Sequence, residues 1–314
     1  MSQPTLRQLR YFDLLARHGQ FARAAEVAAV SQPALSMQIR ELEAILGASL
    51  VERGPRGIRL TRLGETLLPR VRDILRSVDA LTEVARAGDA GLGGRLNLGV
   101  IPTVAPYLLP RIVAALTAAE PGIDIHVRET LTPRLLAELD DGRLDMALIA
   151  LPSDVSGLSE TPLLSEPFLL VRPMSEAGLP PPSAEALRSG RLLLLEEGHC
   201  FRDQALAACA LPGTAARDGL DGSTLATLVQ MVAAGLGRTL IPAMARPVEC
   251  AGAAVDVVPL PPPEPHREVG FVWRRSSPLA PRFAALAEIA REAVAGSGEC
   301  GRAALEQAQE GPAP

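Results

Sequence analysis

The chain has 314 residues and a net charge of −5, with 47% hydrophobic and 21% charged residues, a composition typical of a folded protein and not of a largely disordered one. Four cysteines in so long a chain are too few for a disulfide framework, and four histidines without a Cys-x-x-Cys pair argue against a structural zinc site. No apolar run is typical of a membrane span or a signal peptide, so we expect a cytoplasmic protein without membrane contact, metal or cofactor.

The net charge is distributed unevenly along the chain. Residues 1–87 hold 13 arginines against 9 acidic residues, whereas residues 88–314 hold 18 arginines against 27 acidic residues. A small basic part joined to a larger acidic part indicates that the first binds a polyanion and the second does not.

Three short helices are predicted in the first 50 residues. The first covers residues 5–17, the second residues 21–29, and the third runs from Ser31 to about Leu46. Ser31 is suited to cap the third helix and Gly47 to end it. Apolar side chains recur along this helix at spacings of four, three and four, which predicts a buried stripe formed by Leu35, Ile39, Leu42 and Leu46.

The opposite side of the third helix carries a different set of residues. Pro33, Met37 and Arg40 point away from the predicted stripe, with Ser36 on the flank. Two short helices followed by a third with a polar or basic outer face form a helix-turn-helix, whose last helix enters a DNA major groove.

An arginine-bearing hairpin is predicted at residues 52–64. Glycine and proline provide the turn, and Arg53, Arg56, Arg59 and Arg62 lie on the short arms. Such a hairpin is suited to lie along the DNA backbone and neutralise phosphates. The alternative is a charged hairpin that is only solvated.

A long helix is predicted over residues 62–87. Its apolar positions alternate spacings of four and three for nearly three heptads, as in Leu67, Val71, Ile74, Val78, Leu81 and Ala85. A seam of this kind needs a partner helix. The partner is either the same helix of a second copy, which would pair two DNA-binding heads, or the chain's own body.

The remaining chain alternates strand and helix patterns after a glycine-rich hinge at residues 88–95. The pattern predicts an α/β body with largely parallel sheets, in two subdomains of the solute-binding-protein type. The first comprises residues 96–165 plus 268–296, and the second residues 166–267. Helices are expected from about Tyr107 to Ala119, near Arg134 to Asp141, and from about Leu279 to Val294, before a mobile tail at 297–314. Strands are expected at 96–101, 123–129, 145–151, 168–173, 191–197, 238–243, 255–260 and 269–275.

The stretch SQPALSMQIRELEAILGASLVER (residues 31–53) resembles the signature of LysR-type transcriptional regulators. The resemblance implies a winged helix-turn-helix domain at residues 1–61, dimerisation through the helix at 62–87, and a two-lobed, periplasmic-binding-protein-like regulatory domain at 96–296. A regulator of this family is not an enzyme, and its partners are promoter DNA, a second copy of itself and RNA polymerase. The candidate DNA contacts are Ser31, Gln32, Pro33, Ser36, Met37, Arg40, Arg53, Arg56 and Arg59.

Three further stretches, at residues 101–110, 196–209 and 231–243, resemble one branch of that family, the hydrogen-peroxide sensors. Two cysteines flanking FRDQALAA, Cys200 and Cys209, are the distinguishing feature. The resemblance implies that they form a reversible disulfide in response to peroxide. It also implies a dimer or tetramer, control of antioxidant genes, and a thiol reductant of the glutaredoxin or thioredoxin type. Ala226 departs from the branch, which usually carries an acidic residue there, and this concerns subunit contacts.

The residues around Cys200 suggest how its thiol would be activated. Gly198 indicates a strand-to-helix turn, which would place Cys200 at a helix N-terminus, where the helix dipole favours the nucleophilic thiolate. His199, Arg202 and Arg267 are candidates to add positive charge. His199 would orient peroxide or merely satisfy the backbone, and Asp203 would pair with Arg202 or accept a helix-start N–H.

Two threonines complete the candidate peroxide pocket. Thr103 follows the strand at 96–101 and Thr132 follows the strand at 123–129, at strand ends where open α/β sheets bind ligands. The resemblance places both hydroxyl groups beside the reactive thiol. The alternative for each is ordinary capping of the following helix.

The spacing of the cysteine pair has a mechanical consequence. In an intact helix nine residues separate two Cα atoms by about 13.5 Å, whereas a disulfide needs less than roughly 7 Å. The helix at 202–209 must therefore unwind before the bond closes. Cys209 lies in the apolar run ALAACAL and is expected to be buried when reduced. Cys250 and Cys300 have no evident partner and are expected to act as small apolar residues.

Three other functions compete with a peroxide-sensing regulator. A LysR-type regulator that binds a small metabolite between its lobes would share the DNA-binding head, and would not need Cys200. A thiol peroxidase would use Cys200 to clear peroxide, but a DNA-binding head argues against it. An exported solute-binding protein would leave the N-terminal third without a role.

Overall fold

The structure, a computed structural model, describes residues 3–54, 57–89, 94–182, 187, 190–209 and 221–309. It divides into two units, Met1–Asp89 and Ala90–Pro314. The first unit begins with three helices, followed by an antiparallel hairpin and a long helix. These elements are α1 (Leu6–His18), α2 (Phe21–Val27), α3 (Gln32–Leu46), β1 (Val51–Gly54), β2 (Gly57–Leu60) and α4 (Arg62–Asp89).

Helix α3 begins and ends where the capping signals predict. Ser31 Oγ accepts a hydrogen bond from the Ala34 backbone N–H at 3.4 Å, and Gly47 ends the helix in a left-handed conformation with φ 72°. The apolar stripe packs on α1 in one core formed by Leu9, Phe12, Leu15, Leu35, Ile39, Leu42 and others. Leu46, expected in the stripe, lies in the last turn and is exposed. Helix α2 stops at Val27, two residues before the predicted end.

The second unit alternates strands and helices. In chain order they are β3 (Arg95–Val100), α5 (Ala105–Ala119), β4 (Asp124–Glu129), α6 (Thr132–Asp140), β5 (Met146–Leu151), β6 (Leu158–Pro173), β7 (Leu194–Leu195), α7 (Cys200–Ala208), β8 (Asp221–Gly222), α8 (Leu225–Ala233), β9 (Thr239–Pro242), α9 (Arg246–Glu249), β10 (Val255–Pro259), β11 (His266–Arg274) and α10 (Ala280–Gln309). Short 3₁₀ helices cover Met174–Glu176 and Ala243–Ala245.

The prediction of a largely parallel sheet is wrong for the described strands. Seven strands form one sheet in the order β10-β6-β11-β5-β3-β4, with β9 also paired to β6. Among the described strands of this sheet, β3 pairs in parallel with β4 and β5, whereas β6 and β11 run antiparallel to each of their neighbours. A separate parallel pair joins β7 to β8. The antiparallel centre arises because β6 carries the chain out of the first lobe and β11 returns it.

Strand β6 begins ten residues before the strand predicted at 168–173. Pro162 and Pro167 lie in this earlier segment, and proline is normally a signal against a strand interior. The pairing with β11 accommodates Pro162 through a register shift between Val269 and Gly270. Gly270 is required there, since a Cβ atom would lie 2.5 Å from the Thr161 carbonyl oxygen.

Two separate hydrophobic cores occupy the second unit. The first-lobe core is formed around β3, β5, the C-terminal half of β11, α5 and α10, and includes Val100, Leu148, Phe271 and Phe283. The second-lobe core is formed around β7, β9, α7, α8 and the end of β6, and includes Leu170, Phe201, Val229 and Ile241. Strands β6 and β11 therefore connect the two lobes.

The ends of two helices differ from expectation. Helix α4 continues to Asp89 rather than ending near 87, and β3 begins at Arg95, so much of the predicted hinge at 88–95 lies outside the described residues. The last helix continues to Gln309, through part of the segment expected as a mobile tail. Within the described ranges, no helix combines the length and the apolar character needed to cross a bilayer.

Candidate functional site

Cys200 begins helix α7 directly after a tight turn that leads out of β7. Gly198 adopts φ 94°, and a Cβ atom there would lie 3.0 Å from Leu131 Cδ1, so glycine provides both the conformation and the space. His199 is extended and precedes the first helical residue, Cys200. The Cys200 thiol therefore lies at a helix N-terminus, as the glycine turn predicts.

The Cys200 side chain lies at the boundary between the two cores. It is half-buried and packs against the first-lobe core, although the rest of α7 belongs to the second lobe. The adjacent Phe201 is buried in the second-lobe core, where it stacks edge-on against Phe168 with ring centroids 5.0 Å apart. The thiol is thus partly accessible, and the residue that follows it is anchored in the second-lobe core.

Cys209 closes the same helix in a different environment. It is the C-cap residue of α7, its backbone N–H donates to the Ala205 carbonyl oxygen at 3.1 Å, and its side chain is fully buried in the second-lobe core. Burial raises the pKa of the Cys209 thiol to about 11. At neutral pH the Cys209 thiol is therefore protonated while α7 is folded. Cys200, Cys209 and Cys250 all carry free thiols.

Thr103 and Arg267 are joined directly. Arg267 Nη1 donates to Thr103 Oγ1 at 2.9 Å, and Nη2 donates to the Thr103 carbonyl oxygen at 3.0 Å. The guanidinium also lies over the Phe201 ring, with its central carbon 5.4 Å from the ring centroid. The Thr103 hydroxyl does not cap a helix, since Val104 is the N-cap residue of α5 and makes no side-chain cap.

The positive charge of Arg267 is compensated by Glu166. The two residues are direct cross-strand partners on β11 and β6, and Arg267 Nε donates to Glu166 Oε1 at 2.7 Å. Glu166 was not among the predicted site residues. Its signal in the sequence is a carboxylate within an apolar segment, flanked by Leu163, Leu164 and Phe168. The expected cation beside the thiol is therefore half of a buried ion pair.

Thr132 and His199, the next two predicted pocket residues, do not take part in the hydrogen bonds that join Thr103, Arg267 and Glu166 in the described part of the chain. Thr132 occupies the first turn of α6 but is not its cap, and its Oγ1 is buried without a hydrogen-bond partner in the described part of the chain. Contact between Leu131 and the Gly198 turn brings this end of α6 next to the start of α7. Burial lowers the pKa of His199, and the nearby Glu196 carboxylate only partly offsets this shift. The His199 imidazole is therefore neutral at neutral pH and supplies no positive charge.

Arg202 and Asp203 do not pair with each other. Arg202 Nη1 donates to the Leu195 carbonyl oxygen at 2.5 Å and forms an ion pair with Asp221 at 3.1 Å. The guanidinium therefore fastens α7 to β7 and β8. Asp203 is exposed in the first turn of α7. Across the described ranges, no group of three or more His, Cys, Asp or Glu side chains is arranged to hold a metal ion.

The DNA-binding candidates on α3 are mostly exposed. Gln32, Pro33 and Arg40 are exposed, and Met37 is 53% exposed, unusual for a large apolar side chain. Ser36, expected to face outward, is buried instead, because both α1 and α2 pack on α3 and cover more than the apolar stripe. Its Oγ accepts a hydrogen bond from Arg40 Nη2 at 3.3 Å.

The hairpin after α3 is held against the helical head. The Ile58 backbone N–H donates to the Gly19 carbonyl oxygen at 2.8 Å, and a Cβ atom on Gly57 would lie 2.4 Å from that oxygen. Arg59 is exposed on β2. Arg56 lies outside the described residues, and for Arg53 only the backbone is described.

Helix α4 has one covered side and one open side. Val71 and Leu75 are buried against the helical head, and Arg72 Nε forms an ion pair with Asp13 at 2.9 Å. Ile74 and Leu81, which belong to the predicted seam, are 47% and 69% exposed. The part of the seam that the head does not cover is available for another helix.

Two family models match the chain. The model of the bacterial regulatory helix-turn-helix protein, lysR family, matches residues 6–65, and that of the LysR substrate binding domain matches residues 89–295. The chain is 41% identical to the DNA-binding transcriptional dual regulator OxyR of Escherichia coli K12, over 93% of this chain and 96% of the relative.

Solved structures show the same similarity. A full-length OxyR variant from Pseudomonas aeruginosa shares 35% identity at a TM-score of 0.70, over 93% of this chain and 96% of that one. A hydrogen-peroxide-bound OxyR variant from Corynebacterium glutamicum shares 34% identity at a TM-score of 0.65, over 96% of each chain. These matches confirm the predicted family and fold class.

Proposed function

This chain belongs to the LysR family of bacterial transcriptional regulators, and we propose that it is a regulator of the oxidative-stress response that detects hydrogen peroxide through Cys200 and Cys209. The observation that carries the proposal is the placement of the two thiols. Cys200 begins α7 in a half-buried position and Cys209 ends it fully buried. The similarity to OxyR proteins, one of them bound to peroxide, supports this assignment.

The chemistry begins with attack of the Cys200 thiolate on one oxygen of hydrogen peroxide. An S–O bond forms as the O–O bond breaks, and the departing hydroxide takes up a proton to become water. The sulfur loses two electrons and the peroxide gains two. The Cys209 thiol then gives up its proton and attacks the sulfenic sulfur, so that an S–S bond forms and a second water leaves.

The second step requires α7 to unwind over residues 202–209. Unwinding breaks the hydrogen bond from the Cys209 N–H to Ala205 and exposes Cys209 from the second-lobe core. The repacked lobe changes contacts between subunits, and a changed dimer or tetramer shifts the DNA footprint. A dithiol reductant of the glutaredoxin or thioredoxin type returns two electrons through thiol–disulfide exchange and restores the helix.

The pocket residues have distinct roles in this mechanism. The Thr103 and Thr132 hydroxyl groups bind peroxide or an ordered water beside Cys200, with neutral His199 orienting it. Arg267 fixes Thr103, and Arg202 fastens the folded helix. Asp203 carries negative charge near the start of α7, where the helix dipole favours it.

The first unit binds promoter DNA. The start of α3 enters the major groove with Ser31, Gln32, Pro33, Met37 and Arg40, and Ser36 supports Arg40 from its buried position. Hairpin residues Arg53, Arg56 and Arg59 neutralise phosphates. Two heads pair through the open seam of α4, and promoter control implies RNA polymerase as a partner and action in the cytoplasm.

A metabolite-responsive regulator is the competing function, favoured by the match to a substrate-binding domain. DNA footprinting of the wild type and Cys200→Ser, each with and without peroxide, separates the two. We expect peroxide to shift the footprint of the wild type alone, since the variant cannot form the disulfide. Identical behaviour of the two proteins would remove the sensor role and keep the regulator role.

Steady-state peroxide consumption in the presence of a reductant tests the alternative of a thiol peroxidase. A peroxidase turns over peroxide continuously, whereas a sensor needs one oxidation per signal.

A further inference from the structure

We infer that Glu166 is a positioning residue for the reaction of Cys200 with peroxide, an inference that rests on the function proposed above. Glu166 acts through Arg267, which in turn fixes the direction in which the Thr103 hydroxyl donates its proton. The three residues come from β6, from β11 and from the turn after β3, so they join the two lobes at the boundary where Cys200 lies.

The carboxylate of Glu166 is immobilised at both oxygens. Oε1 accepts from Arg267 Nε at 2.7 Å and lies 2.6 Å from Nη2, and Oε2 accepts from the Met244 backbone N–H at 3.1 Å. Both side chains of the ion pair are almost completely buried. A buried guanidinium without a carboxylate would move to find another partner, so Glu166 determines where Arg267 rests.

Arg267 then determines the polarity of the Thr103 hydroxyl. Its Nη1 donates to Oγ1 at 2.9 Å, while Nη2 donates to the carbonyl oxygen of the same residue at 3.0 Å. A guanidinium has donors only, so the hydroxyl must accept this bond, and its own proton is left for another acceptor. Thr103 is thereby prepared as a donor.

The placement of the guanidinium connects this donor to the reactive thiol. Arg267 lies over the ring of Phe201, the residue that follows Cys200, and Cys200 packs on the same first-lobe core that contains Ile101 and Val104 on either side of Thr103. When the O–O bond of peroxide breaks, negative charge develops on the leaving oxygen. In this inference the Thr103 hydroxyl, whose proton is not used by Arg267, donates to that oxygen and stabilises the charge in the transition state.

The test isolates the first chemical step in the full-length chain. A Cys209→Ser background stops the reaction at the sulfenic acid, which dimedone traps, and the second-order rate constant with hydrogen peroxide is measured. We expect Glu166→Gln and Thr103→Val each to lower this constant about tenfold, the worth of one hydrogen bond. The double variant is expected to be no slower than Thr103→Val alone, because both changes remove the same donor.

Conservative variants provide the rescue. Thr103→Ser, which retains the hydroxyl, recovers most of the loss caused by Thr103→Val, and Glu166→Asp, which retains the charge, recovers part of the loss caused by Glu166→Gln. If Glu166→Gln does not fold, Arg267→Lys also tests whether the hydrogen bonds from residue 267 to Thr103 affect the peroxide rate constant. A lysine holds the Glu166 charge but cannot reach both Thr103 oxygens, so its rate constant should fall to that of Thr103→Val.

A control variant removes an ion pair elsewhere, between a buried arginine and a partly exposed carboxylate. Asp256 accepts from the buried Arg172 Nε at 2.7 Å in the second lobe, so Asp256→Asn lowers the unfolding midpoint but should change the peroxide rate constant by less than about twofold. An unchanged rate constant in folded Glu166→Gln, or losses that multiply in the double variant, would overturn the inference. A parent protein that reacts no faster than free cysteine would overturn the proposed function instead.

Discussion

Cys209 ends the helix that Cys200 begins. With α7 spanning Cys200–Ala208 and Cys209 as its cap, the helical rise places their Cα atoms about 13.5 Å apart, whereas a disulfide requires less than roughly 7 Å. No change of side-chain rotamer closes such a gap. Formation of the disulfide and the folded state of α7 therefore exclude each other, and everything that stabilises α7 opposes oxidation.

The first prediction concerns alkylation of the reduced protein. We expect iodoacetamide at pH 8 to label Cys200 well before Cys209, because Cys209 is fully buried and its pKa is raised to about 11. Burial also raises the pKa of Cys250 to about 11, so that thiol should also be slow. Labelling of both slow thiols should increase as the pH rises towards that value, and peptide mass spectrometry measures each site.

The control for this experiment is the denatured chain, in which all thiols should be labelled at similar rates. Equal labelling of Cys200 and Cys209 in the folded protein at pH 8 would contradict a fully folded α7 in the reduced state.

The second prediction concerns Arg202, which fastens α7 to β7 and β8. Arg202→Gln removes the ion pair with Asp221 and weakens the bond to the Leu195 carbonyl oxygen, which should destabilise the reduced helix by about 1–3 kcal/mol. Because only the reduced form loses this energy, the disulfide becomes harder to reduce. The reduction potential should become more negative by roughly 20–60 mV, measured by equilibration with glutathione or dithiothreitol.

Arg238→Gln is the matched control. Arg238 pairs with Glu176 at 2.8 Å in the same lobe, and neither residue belongs to α7, β7 or β8. The reduction potential of the disulfide in Arg238→Gln should stay within about 10 mV of the wild-type value. A potential for Arg202→Gln that is unchanged or less negative would show that α7 does not oppose the disulfide.

Local signals in the sequence predicted α3, the hairpin, α4 and the position of Cys200 closely. These features depend on spacing and on capping residues a few positions away, such as Ser31 and Gly47 around α3 or Gly198 before α7. The burial of Ser36 was missed because it depends on how α1 and α2 pack across α3, which the period of one helix does not encode.

The part of the site that sequence reasoning missed depends on strand pairing. Glu166 and Arg267 are 101 positions apart and meet only because β6 and β11 are neighbours in a specific register. The same crossing strands made the sheet antiparallel at its centre. The sequence alone does not reveal which strands are neighbours, so it predicts Arg267 only as a positive charge beside the thiol. That Glu166 neutralises this charge depends on the strand pairing and could not be predicted.

The third prediction concerns the open seam of α4. Ile74→Asp and Leu81→Asp place a charge on side chains that are 47% and 69% exposed, so the monomer should remain folded. Each change occurs twice in a symmetric pair. Full burial of such a side chain contributes about 1.5–3 kcal/mol, and roughly half of that remains to be gained on dimerisation, so the dimer dissociation constant should rise about tenfold or more. Sedimentation velocity over a concentration series measures it.

Leu6→Asp is the control for this substitution, since Leu6 is a 43% exposed leucine on α1 and is not one of the seam positions of α4. Its dissociation constant should match the wild type. A dimer that survives both seam variants unchanged would mean that the copies associate through another surface.

The fourth prediction separates two kinds of DNA contact. Arg59→Ala should weaken binding to operator and unrelated DNA alike, and should reduce the slope of log affinity against log salt concentration by about 1, because one phosphate contact is lost. Met37→Ala should weaken operator binding by about 1 kcal/mol or more with little change for unrelated DNA, because we propose that this exposed apolar side chain on α3 packs on base edges. Fluorescence anisotropy at several salt concentrations measures both affinities.

Arg143→Ala is the control, because Arg143 is an exposed arginine of the second unit, and it should alter neither the affinity nor the salt dependence. If Arg59→Ala instead changed only operator binding, β2 would contact bases rather than phosphates, and the hairpin would determine specificity together with α3.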